Sequence, residues 1–582
     1  MATTLDLTII GAYLVGLLIV GFWLSKKAGE SSDSYFLGGR RLPWWALGAS
    51  GMSSNLDVAG TMTLVTLFYF FGLQTLFIEM RGGVVLPIAV FLAFMGKWHR
   101  RSKVMTTAEW MHLRFGHGKQ GHAARMMAAV TYLIITVGMV VFFLGAAGKF
   151  LAVFLPFDER GCQILMLSVA VVYTMLSGLY GVVWTDVLQS VLIAAATIYV
   201  GVVGATHAPI PDADAWPGAA HNSLLPSFYS EEMQATIGDT VLDYRLFGLL
   251  LLFWAGKGLL EGLGGSGGSA YMAQRFYAAR NERDCMRIGM LWTILFAFRW
   301  PMVLGFALIA VSVGSGLEVS EDPEQLLPVV LSSEYFPSGI RGLVIAAMLA
   351  AAMSTFDSTI NAGASYVVRD LYQPLRKRAS ERELVWTGYA ASLAIVAVGL
   401  AIAWNVDSIV AVWTIIVINL FPAFLVPFAL RWFWGSLNGA GFSLGVLFGF
   451  LAALGSMFFA DQLAFNEAAQ LGSIGGVSLV GCLIGAFGFP GTDDSVRRNF
   501  YDEIRPMGFW PSAWRQPSKR EHRADLVRLA LAVIWQLATF FLPLCLMLRM
   551  WAASILLGLV WLAIGVVFFR QAFGPDESVE LS

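Results

Sequence analysis

The sequence predicts an all-α, polytopic membrane protein of about fifteen transmembrane helices, organised around a five-plus-five inverted repeat. Three observations predict it. The 582-residue chain is 57% hydrophobic with only 13% charged residues, and its mean hydropathy is +0.68. Basic residues crowd into alternate loops between apolar runs. Two of those runs, five apart in order, are interrupted by polar residues and glycine.

A soluble chain of this length would carry far more charge. Lys plus Arg (38) nearly balance Asp plus Glu (39), which argues against a nucleic-acid partner and leaves the lipid bilayer as the surroundings. Cys162, Cys285, Cys482 and Cys545 lie far apart with no metal-like spacing and read as small buried hydrophobes. Lys26 and Lys27 follow the first apolar run rather than precede it, the reverse of a secretory signal, so that run is expected to stay as a span. Composition sets no oligomeric state.

A span needs about 20 mostly apolar residues. The windows that qualify are 6–24, 44–73, 82–97, 127–155, 160–180, 182–205, 244–272, 286–315, 339–366, 384–403, 408–430, 438–460, 471–490, 525–548 and 550–570. Basic residues orient them. They gather at Lys26, Lys27, Arg40 and Arg41, at Lys97, Arg100, Arg101 and Lys103, and at Arg275, Arg280, Arg283 and Arg287. The series continues at Arg376, Lys377, Arg378 and Arg382, and through 491–524 from Arg497 to Arg523. The loops 206–243 and 316–338 are acidic and hold no Lys or Arg. The expected orientation is N-terminus outside and C-terminus cytoplasmic, in a bacterial-type inner membrane.

These spans divide the chain into a first helix with its cytoplasmic loop (1–43), a first repeat (44–205), an outer loop (206–243) and a second repeat (244–430). Additional helices (431–490), a basic cytoplasmic segment (491–524) and a C-terminal helix pair with its tail (525–582) complete it. The repeat is read from the two interrupted spans. One runs from Trp44 through Gly48, Ser50, Gly51, Ser53, Ser54, Asn55, Asp57 and Gly60. The other runs from Tyr244 through Lys257, Glu261 and the stretch Gly264-Gly265-Ser266-Gly267-Gly268. Polar, glycine-rich backbone at membrane depth is tolerated where it lines a protein-enclosed cavity. Broken helices at matching places in two oppositely oriented five-span units mark inverted-repeat transporters. The alternative for the second is a small-residue packing face.

Carboxylates at mid-bilayer cost about 2.5–3.5 kcal/mol on insertion scales and need a partner or an ion. The candidates are Asp57, Glu79, Asp186, Glu261 and Asp357, with Lys257 and Arg299 as cations. Ser354 and Thr355 are adjacent, and Asp357 and Ser358 follow Ser354 at i+3 and i+4 on the same helix face. That face offers hydroxyl and carboxylate oxygens for a monovalent cation, the alternative being hydroxyls bonded back to their own helix. Asp186, read alone, is an interfacial acid at a helix start. Lys257 and Glu261, at i,i+4, either neutralise each other or meet a solute. His99, His112, His117, His122, His207, His221 and His522 all fall in predicted loops, which weakens an embedded enzyme as a rival. The group His112, His117 and His122 reads as solvated surface.

The stretch from Ser34 to Trp45 (Ser-Tyr-Phe-Leu-Gly-Gly-Arg-Arg-Leu-Pro-Trp-Trp), with Gly48-Ala49-Ser50 and Ser53-Ser54-Asn55, resembles the opening of the sodium/solute symporter family. So do Thr106-Thr107-Ala108-Glu109-Trp110, Gly181 to Gln189, and Met353 to Ser358 with Asn361 and Asp370-Leu371-Tyr372. The resemblance implies a leucine-transporter-like broken-helix fold and sodium as the co-transported ion, with no organic cofactor. It implies a shared sodium site at the carbonyls of Ser53, Leu56 and Ala351 and the hydroxyls of Ser354 and Thr355. A second sodium, used by some members, would meet Asp186, Ser354, Asp357 and Ser358. Glu79 matches a substrate-binding glutamate of the sugar-carrying branch, and Asn55 a polar residue of the first broken helix.

Two departures stand out: glycines replace the polar and aromatic side chains that the sugar branch carries in its second broken helix, and Asp57 stands where a serine is usual. The expected function is sodium-coupled import of a small polar solute by alternating access, with Asn55, Asp57, Glu79, Lys257, Glu261 and Arg299 as candidate solute contacts. Carboxylates with neighbouring cations favour a polyhydroxylated or zwitterionic solute over a simple anion, with a sugar or sugar-like compound in first place. An amino-acid or organic-acid symporter and a transporter-like sensor are the alternatives. No enzyme activity is expected. Residues 491–524 and the last two spans extend beyond the family's minimal core.

Overall fold

Polar residues decide where these helices end, because each freed backbone group inside a membrane protein needs a partner. The computed structural model describes residues 2–28, 32–207, 218, 221, 223–237, 240–265, 270–314, 322–459 and 465–574. Among them, twelve helices are long and apolar enough to cross a membrane, which makes the chain a multi-pass membrane protein. The expected spans 82–97, 160–180 and 244–272 fall outside that count. Each is interrupted or bent. The first is α-helical at Val85–Val90 and Gly96–Ser102 with a π turn between. The second is the front of a 49-residue helix that kinks at Gly178, where φ is 51°. The third stops at Leu263, after 17 residues.

In chain order, α1 (Thr4–Ala28) is followed by α2 (Trp44–Ser53) and α3 (Val58–Phe71). Next come α4 (Lys119–Ala152) and α5 (Glu159–His207). The segment between α5 and the next span carries the only sheet among the described residues, β1 (Gln234–Ile237) antiparallel to β2 (Thr240–Asp243). Then α6 (Phe247–Leu263) and α7 (Ala270–Tyr277) form the second interrupted span. α8 (Glu282–Phe296), α9 (Arg299–Gly314), α10 (Ile340–Tyr366) and α11 (Glu381–Ala403) follow. The remainder are α12 (Phe421–Phe433), α13 (Gly439–Phe458), α14 (Glu467–Gly488), α15 (Asp494–Ile504), α16 (Lys519–Met547) and α17 (Trp551–Phe573).

The centre of the molecule is α10, buried along nearly its whole length. α5 packs against α10, α1 and α9. Asp6 of α1 fastens the start of α10: its carboxylate accepts from Gly339 N at 2.8 Å and Gly342 N at 2.9 Å, and pairs with Arg341 at 2.9 Å. A carboxylate there satisfies orphan N–H groups and complements the helix dipole. Glu324 does the same for the helix Ile409–Thr414, accepting from Ile409 N at 3.0 Å and Val410 N at 2.9 Å while pairing with Lys149 at 2.7 Å.

The basic segment 491–524 is structured. Phe509 N donates to Phe433 O at 2.6 Å, α15 packs on the short helix Trp110–Phe115, and Glu521 pairs with Lys97 at 2.7 Å and Arg101 at 2.8 Å. All four cysteines are free and buried, as composition predicts.

Candidate functional site

The first interrupted helix breaks where Ser-Ser-Asn-Leu-Asp offers side-chain partners in place of the helical ladder. Asn55 N bonds back to Met52 O at 2.9 Å and Leu56 N to Ser53 O at 3.2 Å, tightening and ending α2. Asp57 then caps α3, accepting from Gly60 N.

α6 ends at Gly264 and Gly265, the latter at φ 73°, a left-handed conformation that favours glycine. The carbonyls freed there are met by side chains. Gly264 O accepts from Arg431 Nη2 at 3.0 Å and Trp432 Nε1 at 3.3 Å, and Gly265 O meets His99 Nε2 at 2.6 Å. His99 is therefore a buried helical residue at the break, not the loop residue expected. Ser266, Gly267 and Gly268 lie outside the described residues. The two breaks touch: Tyr271 Oη donates to Asn55 Oδ1 at 3.1 Å.

Beside the first break sits a dense oxygen cluster. Ser354 Oγ lies 3.0 Å from Ser53 Oγ and donates to Asp186 Oδ1 at 2.5 Å. Ser50 Oγ donates to Asp186 Oδ2 at 2.5 Å, and Ser54 Oγ lies 2.9 Å from Ser358 Oγ. Tyr173 donates to Asp357 Oδ2; the other carboxylate oxygen, Oδ1, has no hydrogen-bond partner among the described residues. Thr355 Oγ1 donates to Ala351 O at 3.0 Å, so these two expected ligands are joined to each other. Asp186 is completely buried, not the interfacial acid it resembles when read alone.

A cation already stands in this cluster. Arg275, counted from the sequence among the loop basic residues, is fully buried, and its Nη2 reaches Ser358 Oγ at 2.6 Å, Ser54 Oγ at 2.8 Å and Ser50 Oγ at 2.9 Å. Asp186 Oδ2 is 3.5 Å from the same nitrogen. The available signal was its position three residues past the expected end of the span at 272. Tyr173 carried no signal beyond a hydroxyl in an apolar window.

Next to the break lies a cavity of about 70 Å³ whose lining includes Asn55, Asp57, Glu79, Tyr271, Phe296 and Arg299. Arg299 approaches Glu79 to 3.5 Å and donates from Nη1 to the Asn55 carbonyl. A Cβ on Gly60 would sit 3.2 Å from both Arg299 Nη2 and Asp57 Oδ1, so the missing side chain leaves these charges facing one another. Lys257 and Glu261 are not in the lining. They pair with each other, and Lys257 Nζ donates to Arg81 O at 2.8 Å, while Arg81 pairs with Glu467 at 2.5 Å. Of the two readings of this pair, mutual neutralisation is the one this geometry matches, within a buried network that joins α6 to its neighbours.

His112 also departs from expectation. It is buried, with His122 Nδ1 3.2 Å from its Nε2 and the His117 ring centroid 4.5 Å away.

A multi-pass helical protein in which two interrupted helices meet at a buried cage of oxygens and a charged cavity is built as a membrane transporter. The chain belongs to the sodium:solute symporter family, whose model matches residues 35–449. It is 26% identical over 485 residues to a sodium/glucose cotransporter 4 from Danio rerio, covering 77% of this chain and 71% of that one. It is 22% identical to the sodium/sialic acid symporter SiaT of Proteus mirabilis (strain HI4320), over 71% of this chain and 78% of that one. The fold matches a substrate-bound, outward-open Na+-coupled sialic acid symporter with TM-score 0.68 at 20% identity, covering 84% of this chain and 99% of that one. These relatives are transporters, and the chain is a transporter of the family rather than an enzyme.

Proposed function

We propose that this protein imports a small polar solute, a sugar or sugar-like compound, together with sodium, by alternating access. Two five-span units, 44–205 and 244–430, within about fifteen spans would rock about the site. The N-terminus lies outside and the C-terminus in the cytoplasm of a bacterial-type plasma membrane. One sodium binds at the carbonyls of Ser53, Leu56 and Ala351 and the hydroxyls of Ser354 and Thr355, and a second at Asp186, Ser354, Asp357 and Ser358. Sodium is cargo here, not a resident cofactor.

The observation that carries the solute reading is the cavity shared by Asp57, Glu79 and Arg299. Its two carboxylates accept strongly from hydroxyls or an ammonium group, and Arg299 supplies the opposite polarity. A simple anion would face two like charges across the same space. The names of the sugar and sialic acid relatives support the same class. Thermal unfolding of the purified protein against a panel of sugars, amino acids and organic acids, in sodium and in potassium, tests it. Stabilisation by a polyhydroxylated solute in sodium alone is the expected result. Equal stabilisation in both salts, or by monocarboxylates alone, removes the reading.

A further inference from the structure

The oxygen cage around Arg275 has more acceptors than a hydrogen-bonding nitrogen can use. An Nη2 group carries two hydrogens, yet four oxygens, from Ser50, Ser54, Ser358 and Asp186, lie within 3.5 Å of it. The surplus is the geometry of a cation site. Two of these residues, Asp186 and Ser358, are also ligands of the second sodium in the function proposed above, and Ser354 spends its proton on Asp186. A second observation points to an ion. Asp357, completely buried beside this cage, has one carboxylate oxygen with no hydrogen-bond partner among the described residues. A buried carboxylate in that condition is costly without a compensating cation.

Arg275 is mounted so that it can leave. It rides on α7, a helix of 8 residues that starts after the second break. Among the described residues its Nη1 bonds only to its own helix, at Tyr271 O, 3.0 Å away, and its buried Nε has no hydrogen-bond partner. The grip on the rest of the protein is thus the Nη2 cage itself. Exchange of the guanidinium for a sodium ion keeps the charge in the cage constant, since one unit positive charge leaves as another arrives.

We infer that Arg275 is a tethered cation that competes with the second sodium ion for this cage, so that loading the ion removes the Arg275 tie of α7, leaving those of Tyr271 to Asn55 and of Gln274 to Phe36 and Asn361, and return of the guanidinium expels the ion. The inference rests on the second sodium proposed above. It makes Arg275 a positioning residue that sets sodium affinity and couples it to movement of the second interrupted helix.

The test uses the purified full-length protein. Sodium-dependent thermal stabilisation is titrated with choline as the balancing cation, and the coupling ratio is read from reversal potentials in proteoliposomes. Arg275→Gln is expected to lower the sodium concentration for half-maximal stabilisation about tenfold, the shift produced by removing a competitor that holds a site about nine-tenths of the time. Arg275→Lys, which keeps a charge in the cage, should stay nearer the wild type. If Arg275→Gln does not fold, Ser54→Ala loosens the guanidinium through a residue outside the proposed ligand set, and should shift sodium affinity in the same direction. A coupling ratio of two with unchanged or weakened sodium affinity in these variants overturns the competition while leaving the second sodium in place. A coupling ratio of one in both wild type and Arg275→Gln removes the second sodium, and the competition with it.

Discussion

Ser354 Oγ donates to Asp186 Oδ1 at 2.5 Å, tying the middle of α10 to α5. The same serine stands 3.0 Å from Ser53 Oγ at the end of α2. One hydroxyl therefore connects the three elements whose relative positions must change if the site is to open to alternate sides. An ion drawn to these oxygens would bind the closed arrangement of helices as much as any single residue.

Removing that hydroxyl together with its neighbour should tax the ion first. Ser354→Ala with Thr355→Ala is expected to raise the sodium requirement for uptake about thirtyfold, from loss of net interactions of about 1 kcal/mol each. Among the described residues the Thr355 hydroxyl bonds within its own helix, to Ala351 O, so any loss of stability is expected to trace to Ser354 and its bond to Asp186, and uptake is compared at matched amounts of folded protein. Sodium-dependent uptake in proteoliposomes checks this. A double variant whose sodium curve overlays the wild type excludes both residues from the site.

Asp357 depends on Tyr173 for its hydrogen bond. Tyr173→Phe should destabilise the protein by about 1–3 kcal/mol, the cost of leaving a buried acceptor short of a donor, and added sodium should recover part of it. Asp186→Asn and Asp357→Asn should each lower the sodium-to-solute ratio. Thermal unfolding with and without sodium, and reversal potentials, are the measurements. Unchanged ratios in both Asn variants would eliminate a second ion.

Glu79 lines the cavity beside the first break, while the oxygen cage stands on other helices. Glu79→Gln should therefore weaken solute binding by about tenfold or more, as expected for a lost charged hydrogen bond of about 1.5–3 kcal/mol, and leave sodium affinity nearly unchanged. Solute and sodium titrations of one preparation separate the two effects. Equal losses in both would mean that Glu79 acts on the fold, not on the solute.

Gly265 is at φ 73°, and a Cβ there would come within 2.6 Å of His99 Cε1. Both the backbone conformation and the contact oppose a side chain, so Gly265→Ala should destabilise the protein by about 1–3 kcal/mol. Its effect on uptake should exceed that of a comparable substitution at Gly256, whose added Cβ would meet nothing within 4 Å. Equal unfolding midpoints for the two alanine variants would count against strain at the second break.

Burial holds the His112 imidazole down to about 4, with Arg125, His117 and His122 adding repulsion. Its folded-state value lies below the ordinary one near 6.5, so the folded protein binds fewer protons than the unfolded chain between those values. Stability from this group is present above about pH 6.5 and is lost as pH falls towards about 4. His112→Asn should flatten the fall in unfolding midpoint across that window. A slope identical to the wild type would show that other groups carry the acid sensitivity.

The sequence by itself determined the membrane class, the positions of the breaks and the family. These follow from local physical chemistry: about 20 apolar residues fill a bilayer, Ser-Ser-Asn-Leu-Asp and a glycine run end helices wherever they occur, and ordered motifs survive divergence. It also marked Ser354, Asp357 and Asp186 as chemistry-bearing. What it missed depended on distance in space. Arg275 and Arg280 look alike as basic residues beyond a span, yet Arg275 is fully buried among hydroxyls and Arg280 is exposed. Lys257 and Glu261 left two readings open in the sequence, and the structure sets them against each other beside Arg81 and Glu467. Three histidines of loose spacing meet because a short helix turns the chain back on itself between Trp110 and Lys119. Only the tertiary structure decided these, because whether a charge meets solvent, an ion or another charge is set by which helices pack beside it.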